Sequence, residues 1–228
     1  MTREKDVFIP LYQRAKIAND ANADLFISIH ANFMPKSSVT QGTETYVMGL
    51  HTAEYNLDVA KRENAAILLE ENYKNNYDYD PNSPEGHILF SMYQNAYLDQ
   101  SIQFGQFVEN QYASHANRKS RGVKQAGFLV LRKIIMPRVL IEMGFVSNKP
   151  EGAFLNSEDG QNKLAEAISK AILGYRDDFF KTETATTVKK EESKKTTVKK
   201  EDPKKVDLKK VDPKQSSENK TAVEGVTF

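Results

Sequence analysis

Two short apolar runs, each ending on an ionisable residue, form the most informative pattern in this chain. Residues 25–29 are largely apolar and lead into His30, and residues 139–141 are apolar and lead into Glu142. Runs of this length bounded by polar residues predict buried strands. Ligands of open α/β sheets lie beyond the carboxyl ends of the strands. We therefore expect His30 and Glu142 to meet in one cleft.

The remaining pattern predicts helices around these strands. Apolar residues at helical spacing favour a helix over residues 7–22 and a last helix from about 157 to 175. Asn148 is expected to cap a short helix that has Pro150 in its first turn. Two more strands are predicted, at residues 43–48 and 128–132.

A long excursion separates the second predicted strand from the later ones. Residues 53–74 and about 85–114 are predicted helices, and the polar segment between them reads as a loop. This is more chain than a connection within a sheet needs. We expect residues 53–114 to be a helical insert that acts as a lid or control element.

Composition divides the chain near residue 181. Residues 1–180 hold nearly all the aromatic and long aliphatic side chains, enough for one α/β domain. Residues 181–228 hold 13 lysines and nine acidic residues and repeat the hexapeptide Thr-Thr-Val-Lys-Lys-Glu. Such a segment buries too little apolar surface to offset the entropy of ordering. We predict a disordered Lys/Glu/Pro/Thr-rich tail, either a linker or a tether to an anionic envelope polymer.

Charge and cysteine content narrow the function. The net charge of +1 argues against a nucleic-acid partner. The absence of cysteine excludes thiolate metal ligands and disulfides. No run approaches the roughly 18 apolar residues of a membrane span. Residues 2–6 do not resemble a signal peptide, so we expect either a cytosolic protein or a missing N-terminus.

Two residues are the main candidates for chemistry. A neutral imidazole at a strand end is a common zinc ligand, although His30 could simply bond to backbone. Glu142 could pair with Arg132 or Arg138. Its burial would otherwise raise its pKa towards that of a general base.

The other ionisable residues give weaker indications. Glu44 is expected to be a surface carboxylate on an edge strand. The glutamates of the insert are expected on a solvated helix face: Glu63, Glu70 and Glu71. The remaining histidines lack ligand spacing and are expected at the surface: His51, His87 and His115.

Several segments together resemble the zinc-dependent N-acetylmuramoyl-L-alanine amidases of the Amidase_3 type. The resemblance covers residues 1 to about 180, and its motifs occur in a consistent order. They are Ser28-Ile29-His30-Ala31-Asn32 and residues 11–19, 42–47, 122–124, 128–132 and 136–148.

The resemblance implies a mixed β-sheet flanked by helices, and a Zn²⁺-dependent hydrolase acting on peptidoglycan. The enzyme would cleave the amide between N-acetylmuramic acid and L-alanine of the stem peptide. His30 matches a zinc ligand, and Glu142 matches the catalytic glutamate. Some members carry a helical insert that plugs the site until an activator protein removes it. Glu63 is a candidate for such an autoinhibitory ligand.

One departure from the family pattern concerns the metal ligands. The family's first zinc histidine and its glutamate ligand both precede the segment matched by Thr2 and Arg3. We therefore expect a chain truncated at the N-terminus that binds no zinc tightly and is inactive. The full-length protein would be a periplasmic or secreted amidase.

Two other interpretations remain open. One is a non-catalytic peptidoglycan-binding or regulatory module with the same fold. The other is an unrelated cytosolic α/β hydrolase, which is less favoured because the chain lacks both cysteine and a Gly-x-Ser-x-Gly turn.

Overall fold

The computed structural model describes residues 1–50, 53–77 and 96–197. Its strands are β1 Phe26–Asn32, β2 Thr43–Met48, β3 Ser120–Ala126 and β4 Arg138–Phe145. Its helices are α1 Leu11–Asp20, α2 Glu54–Asn64, α3 Tyr73–Asn76, α4 Leu98–Ser114, α5 Leu129–Arg132, α6 Lys149–Leu155 and α7 Glu158–Thr197. A 3₁₀ turn, Ala65–Leu69, follows α2.

The four strands form one mixed sheet in the order β1-β4-β2-β3. Strands β1 and β4 are parallel, as are β2 and β3, whereas β2 and β4 are antiparallel. All six residues of β2 are buried, as are all but one of the eight in β4. A central strand that is covered on both faces needs such a run of buried residues. The implied mixed sheet flanked by helices is confirmed.

Two apolar layers cover the sheet, because successive side chains of a strand point to opposite faces. Tyr46 and Leu140 pack with residues of α1, α2 and α5 on one face. Val47 and Ile141 pack with residues of α4 and α7 on the other. Even-numbered positions of β2 and β4 therefore face α1 and α2.

The prediction of a strand at residues 128–132 is wrong. Leu129–Arg132 is a short helix, α5, whose first amide donates to Oδ1 of Asn64 at 2.8 Å. Leu129, Val130 and Leu131 are all buried. A short, uniformly apolar run has no periodicity that separates a buried strand from a buried helix.

Strand β3, in contrast, is not among the predicted strands. Its sequence, Ser-Arg-Gly-Val-Lys-Gln-Ala, is mostly polar and includes a glycine at positive φ. It lies at the edge of the sheet, where one side of a strand has no neighbour to bury it. A polar edge strand gives little apolar pattern for a prediction to use.

Part of the predicted helical insert lies within the described residues. The helix predicted over 53–74 divides into α2, the 3₁₀ turn and the start of α3. Helix α4 lies within the second predicted helical segment. Residues 78–95, which include His87, lie outside the described residues, and so does His51.

The division of the chain near residue 181 stays a prediction. The chain separates into two units, Met1–Glu183 and Thr184–Phe228. The last helix continues to Thr197, beyond residue 181. Residues 198–228 lie outside the described residues, and the disorder of the tail stays a prediction. None of the described helices has both the length and the hydropathy needed to cross a bilayer.

Candidate metal centre

The structure brings the two strand-end residues together. His30 of β1 and Glu142 of β4 are register partners on adjacent parallel strands. Glu63, near the end of α2, approaches the same point. Each of the three offers a ligand atom, and these atoms all lie within 4.8 Å of one another. This spacing is compatible with three side chains meeting at one metal ion.

The fold explains why these side chains meet. His30 shares the parity of the buried Phe26 and Ser28 on β1, and Glu142 shares that of Leu140 on β4. Both therefore point to the face that α2 covers. The expected cleft is thus formed by two neighbouring strands and the first helix of the insert.

Glu142 occupies an unusual environment for a carboxylate. It is fully buried, and among the described residues neither of its oxygens has a hydrogen-bond partner. Burial raises the pKa of Glu142 to about 9; Glu63 and Glu44 add to the shift, and Arg62 opposes it. The alternative in which Glu142 pairs with Arg132 or Arg138 is wrong, because neither of its oxygens has a partner among the described residues.

His30 is held by side chains on both sides of its ring. Its Nδ1 lies 2.7 Å from Oε2 of Glu63, and its Nε2 lies 3.0 Å from the hydroxyl of Ser28. The imidazole is 27% exposed. These contacts are not the backbone bonds of the alternative interpretation, and they fix the orientation of the ring.

Helix α2 is anchored on both sides of Glu63. Asn64 is buried, donates to the carbonyl of Gly127 at 2.8 Å and accepts from the amide of Leu129. Arg62 donates to Oδ1 of Asn32 at 3.1 Å. These contacts fix the end of the helix, so that Glu63 is directed at His30.

Two glutamates of the insert depart from the predicted solvated face. Glu63 is only 26% exposed. Glu70 is buried, and its Oε1 accepts from the amide of Leu11 and from the hydroxyl of Tyr77. Glu71 is exposed, as predicted. Glu70 thereby ties the insert to the first turn of α1.

The expectation of a surface position for Glu44 is also wrong. Glu44 is fully buried beside Glu142 and accepts hydrogen bonds from Arg121 at 2.6 Å and Lys124 at 2.5 Å. Tyr46 and Tyr55 donate to its other oxygen. Burial acts to raise the pKa of Glu44, but the hydrogen bonds from Lys124 and Arg121 outweigh it and hold the pKa below its usual value.

Arg121 and Lys124 are functional candidates that the sequence analysis missed. Both lie on β3, which was not a predicted strand. In a regular strand, residues three apart point to opposite faces. Arg121 and Lys124 reach the same carboxylate because the pairing of β3 with β2 is irregular between them. The sequence marks this region only through the segment 122–124 of the family resemblance, which assigns no role to Lys124.

A cavity of about 770 Å³ opens beside the centre along β1. Ser28, His30 and Glu63 line it, together with Arg14 of α1. The remaining described histidine, His115, is half-buried rather than fully at the surface and contacts Glu166 at 2.8 Å. His30 is therefore the histidine that the described structure offers to a metal at this cleft.

A mixed α/β sheet that brings a histidine and two glutamates together is an architecture suited to a metal-dependent hydrolase. The sequence profile of the Amidase_3 family, N-acetylmuramoyl-L-alanine amidase, matches residues 1–174. The chain belongs to this family.

Two curated relatives come from Escherichia coli. The amidase AmiC of strain CFT073 is 33% identical over 179 residues, which is 77% of this chain and 41% of AmiC. AmiA of strain K12 is 30% identical over 179 residues, 77% of this chain and 60% of AmiA. The chain thus spans about half the length of these relatives.

Solved structures agree with the family assignment. The catalytic domain of the amidase CwlV from Bacillus (Paenibacillus) polymyxa superposes with a TM-score of 0.52 at 30% identity, covering 77% of this chain and 70% of CwlV. An N-acetylmuramoyl-L-alanine amidase from Clostridium difficile 630 gives a TM-score of 0.53 at 26% identity, covering 77% and 69%.

Proposed function

We propose that this domain hydrolyses the amide between N-acetylmuramic acid and L-alanine in peptidoglycan, with Zn²⁺ as its cofactor. The observation that carries the proposal is the meeting of His30 and Glu142 on adjacent strands, with Glu142 buried and without a hydrogen-bond partner among the described residues. Membership of the amidase family supplies the substrate.

The residues present fit a zinc ion. Imidazole nitrogen and carboxylate oxygen are both ordinary zinc ligands. A buried carboxylate without a partner is costly unless a cation or a proton compensates it. In the resting state, with α2 in place, His30 and Glu63 would hold the ion, and Glu142 would lie beside it. When bound, zinc polarises the scissile carbonyl and lowers the pKa of water.

The protein groups then move the proton. Glu142 accepts a proton from the attacking water and delivers it to the nitrogen of the leaving L-alanine. Burial raises the pKa of Glu142 in the metal-free protein, and a bound cation would oppose that shift and favour the carboxylate that accepts the proton. The buried setting also keeps bulk water away from the carboxylate.

Glu63 is proposed as an autoinhibitory ligand. Its carboxylate contacts His30 and belongs to the first helix of the insert. A substrate carbonyl that approached the ion would compete with Glu63 for the same space. We propose that a partner protein that draws Glu63 away from His30 acts as the activator.

The number of protein ligands available to zinc determines the zinc affinity that we expect of the 228-residue chain. If Glu142 serves as the base, His30 and Glu63 remain as ligands in the described part, whereas zinc sites use three or four protein ligands. We therefore propose that this chain binds no zinc tightly and is inactive as isolated. In the cell the protein would act in the periplasm or outside the membrane, where peptidoglycan lies.

Metal analysis and digestion of purified muropeptides test the proposal. We expect sub-stoichiometric zinc and no hydrolysis by the dialysed chain, and at saturating zinc a release of peptides with N-terminal L-alanine that Glu142→Gln abolishes. Stoichiometric zinc would contradict the weak-binding proposal. Binding to peptidoglycan with no hydrolysis at saturating zinc, in this chain and in one extended at its N-terminus, would favour the non-catalytic module.

A further inference from the structure

A row of ionisable side chains crosses the sheet from the metal centre to the opposite edge. His30 of β1 pairs with Glu142 of β4, and Glu142 lies opposite Glu44 of β2. Glu44 in turn binds Arg121 and Lys124 of β3. Each strand contributes to the row, so the two cations occupy a fixed position relative to the candidate catalytic carboxylate.

The β3 end of this row carries excess positive charge. Arg121 and Lys124 both donate to the same oxygen of Glu44, so two cations share one carboxylate. One cation would be enough to neutralise the carboxylate of Glu44. The side chains of Arg121 and Lys124 are 29% and 19% exposed, so both remain reachable from solvent.

Arg121 is also held in one orientation. Its Nε donates to Glu44, and its guanidinium lies 5.9 Å from the ring centre of Tyr55 and 5.5 Å from that of Phe145. In the described part of the chain, its hydrogen bonds use Nε alone. The two terminal amino groups are therefore available to a planar anion, for which a guanidinium is the best-matched side chain.

The distance from the centre indicates which substrate group could reach this place. Neighbouring strands lie about 4.8 Å apart, so β3 is roughly 10 Å from β4. An extended peptide advances about 3.3–3.6 Å per residue. A carboxylate two residues beyond the scissile amide comes within reach of these long side chains.

We propose that Arg121 and Lys124 form an anion subsite for the free carboxylate of the glutamyl residue that follows L-alanine in the stem peptide. The inference rests on the proposed function, since it takes a muramoyl peptide as the substrate. It assigns a direction to the bound peptide, from the metal centre towards the β3 edge of the sheet. It also makes the amidation state of that residue a determinant of affinity.

A pair of small ligands tests the subsite without requiring turnover. N-acetylmuramoyl-L-alanyl-D-glutamate carries the free carboxylate, and the D-isoglutamine analogue replaces it with an amide. Titration calorimetry on the 228-residue chain at low salt should give an affinity about three- to tenfold higher for the acid. The difference should shrink as the salt concentration rises.

Matched variants assign the difference to these residues. Arg121→Gln should lower the affinity for the acid to that for the amide and leave the amide unchanged, and Lys124→Gln should have a smaller effect in the same direction. Arg176→Gln, the same change at a side chain that is 56% exposed on α7, should preserve the preference. Circular dichroism would verify that each variant is folded.

The possible results distinguish a failure of the subsite proposal from a failure of the proposed function on which it rests. Equal affinity of the native chain for the acid and the amide would overturn the subsite alone. A preference that survives both Arg121→Gln and Lys124→Gln would overturn the assignment to these residues. Failure of both the native chain and Glu63→Ala, which lacks the proposed autoinhibitory contact, to bind either ligand would overturn the proposed function and the subsite with it.

Discussion

The carboxylate of Glu63 lies 2.7 Å from Nδ1 of His30. A residue of the insert thus contacts directly the histidine that ends β1. Glu63 is therefore one of the side chains that form the candidate metal centre. A change in the position of α2 would therefore remove Glu63 from the candidate metal ligands.

Replacing Glu63 should weaken zinc binding. Glu63→Ala removes one of the two proposed ligands, and we expect zinc affinity to fall by at least about tenfold, since even supporting residues of metal sites have effects of 10–100-fold. Competition with a chromophoric chelator would measure it. Glu71→Ala is the control, because Glu71 is exposed in the same segment. Unchanged affinity in Glu63→Ala would exclude Glu63 as a ligand.

Asn64 should matter for stability through its two backbone contacts. Asn64→Ala leaves the carbonyl of Gly127 and the amide of Leu129 without these partners in a buried setting. Each unsatisfied buried group costs about 1–3 kcal/mol. We expect the free energy of unfolding in urea to fall by about 2–4 kcal/mol. A loss below about 0.5 kcal/mol would mean that water replaces the amide side chain.

The sequence was sufficient to predict the parts of the site that stand at the ends of apolar strands. His30 and Glu142 were found because buried strands have a strong pattern and ligands collect at their carboxyl ends. The short helix after Asn148 was also predicted, and Oδ1 of Asn148 accepts from the amide of Glu151. These features depend on local rules that need no knowledge of distant partners.

The rest of the site depends on contacts between segments far apart in the chain. Glu44 stands between Thr43 and Thr45 in a polar stretch typical of an exposed strand, and its burial is explained by the cations of β3, 77 and 80 residues later. Glu63 looks like a residue of a charged helix face until Asn64 is seen to anchor that helix to Gly127. Such pairings have no local periodicity, so a single sequence does not reveal them.

The ion cluster at Glu44 should make the fold acid-sensitive. The pKa of Glu44 is held low, so its stabilising contribution is present above its usual value of 4.5 and is lost as the pH falls through the lowered pKa. Glu44→Gln should cost about 3–5 kcal/mol at pH 7, because it leaves Arg121 and Lys124 without their carboxylate. Urea unfolding at pH 7 and pH 3.5 would measure both effects.

A control variant separates this cluster from a general effect of removing a carboxylate. Glu71→Gln should change the free energy of unfolding at pH 7 by less than about 0.5 kcal/mol, since Glu71 is an exposed surface residue. If Glu44→Gln matched this control, the cluster would contribute nothing to stability.

Glu142 should show the opposite dependence on pH. Its pKa is raised from 4.5 to about 9 by burial, so the folded, metal-free protein retains a proton that the unfolded chain loses. Its contribution to stability is complete below pH 4.5 and declines as the pH rises towards 9. In EDTA, Glu142→Gln should therefore become more stable relative to the native chain between pH 6 and pH 8.5. Unfolding curves in urea at these two pH values would measure the difference. A constant difference between them would show that Glu142 is ionised throughout and that burial does not raise its pKa in the folded protein.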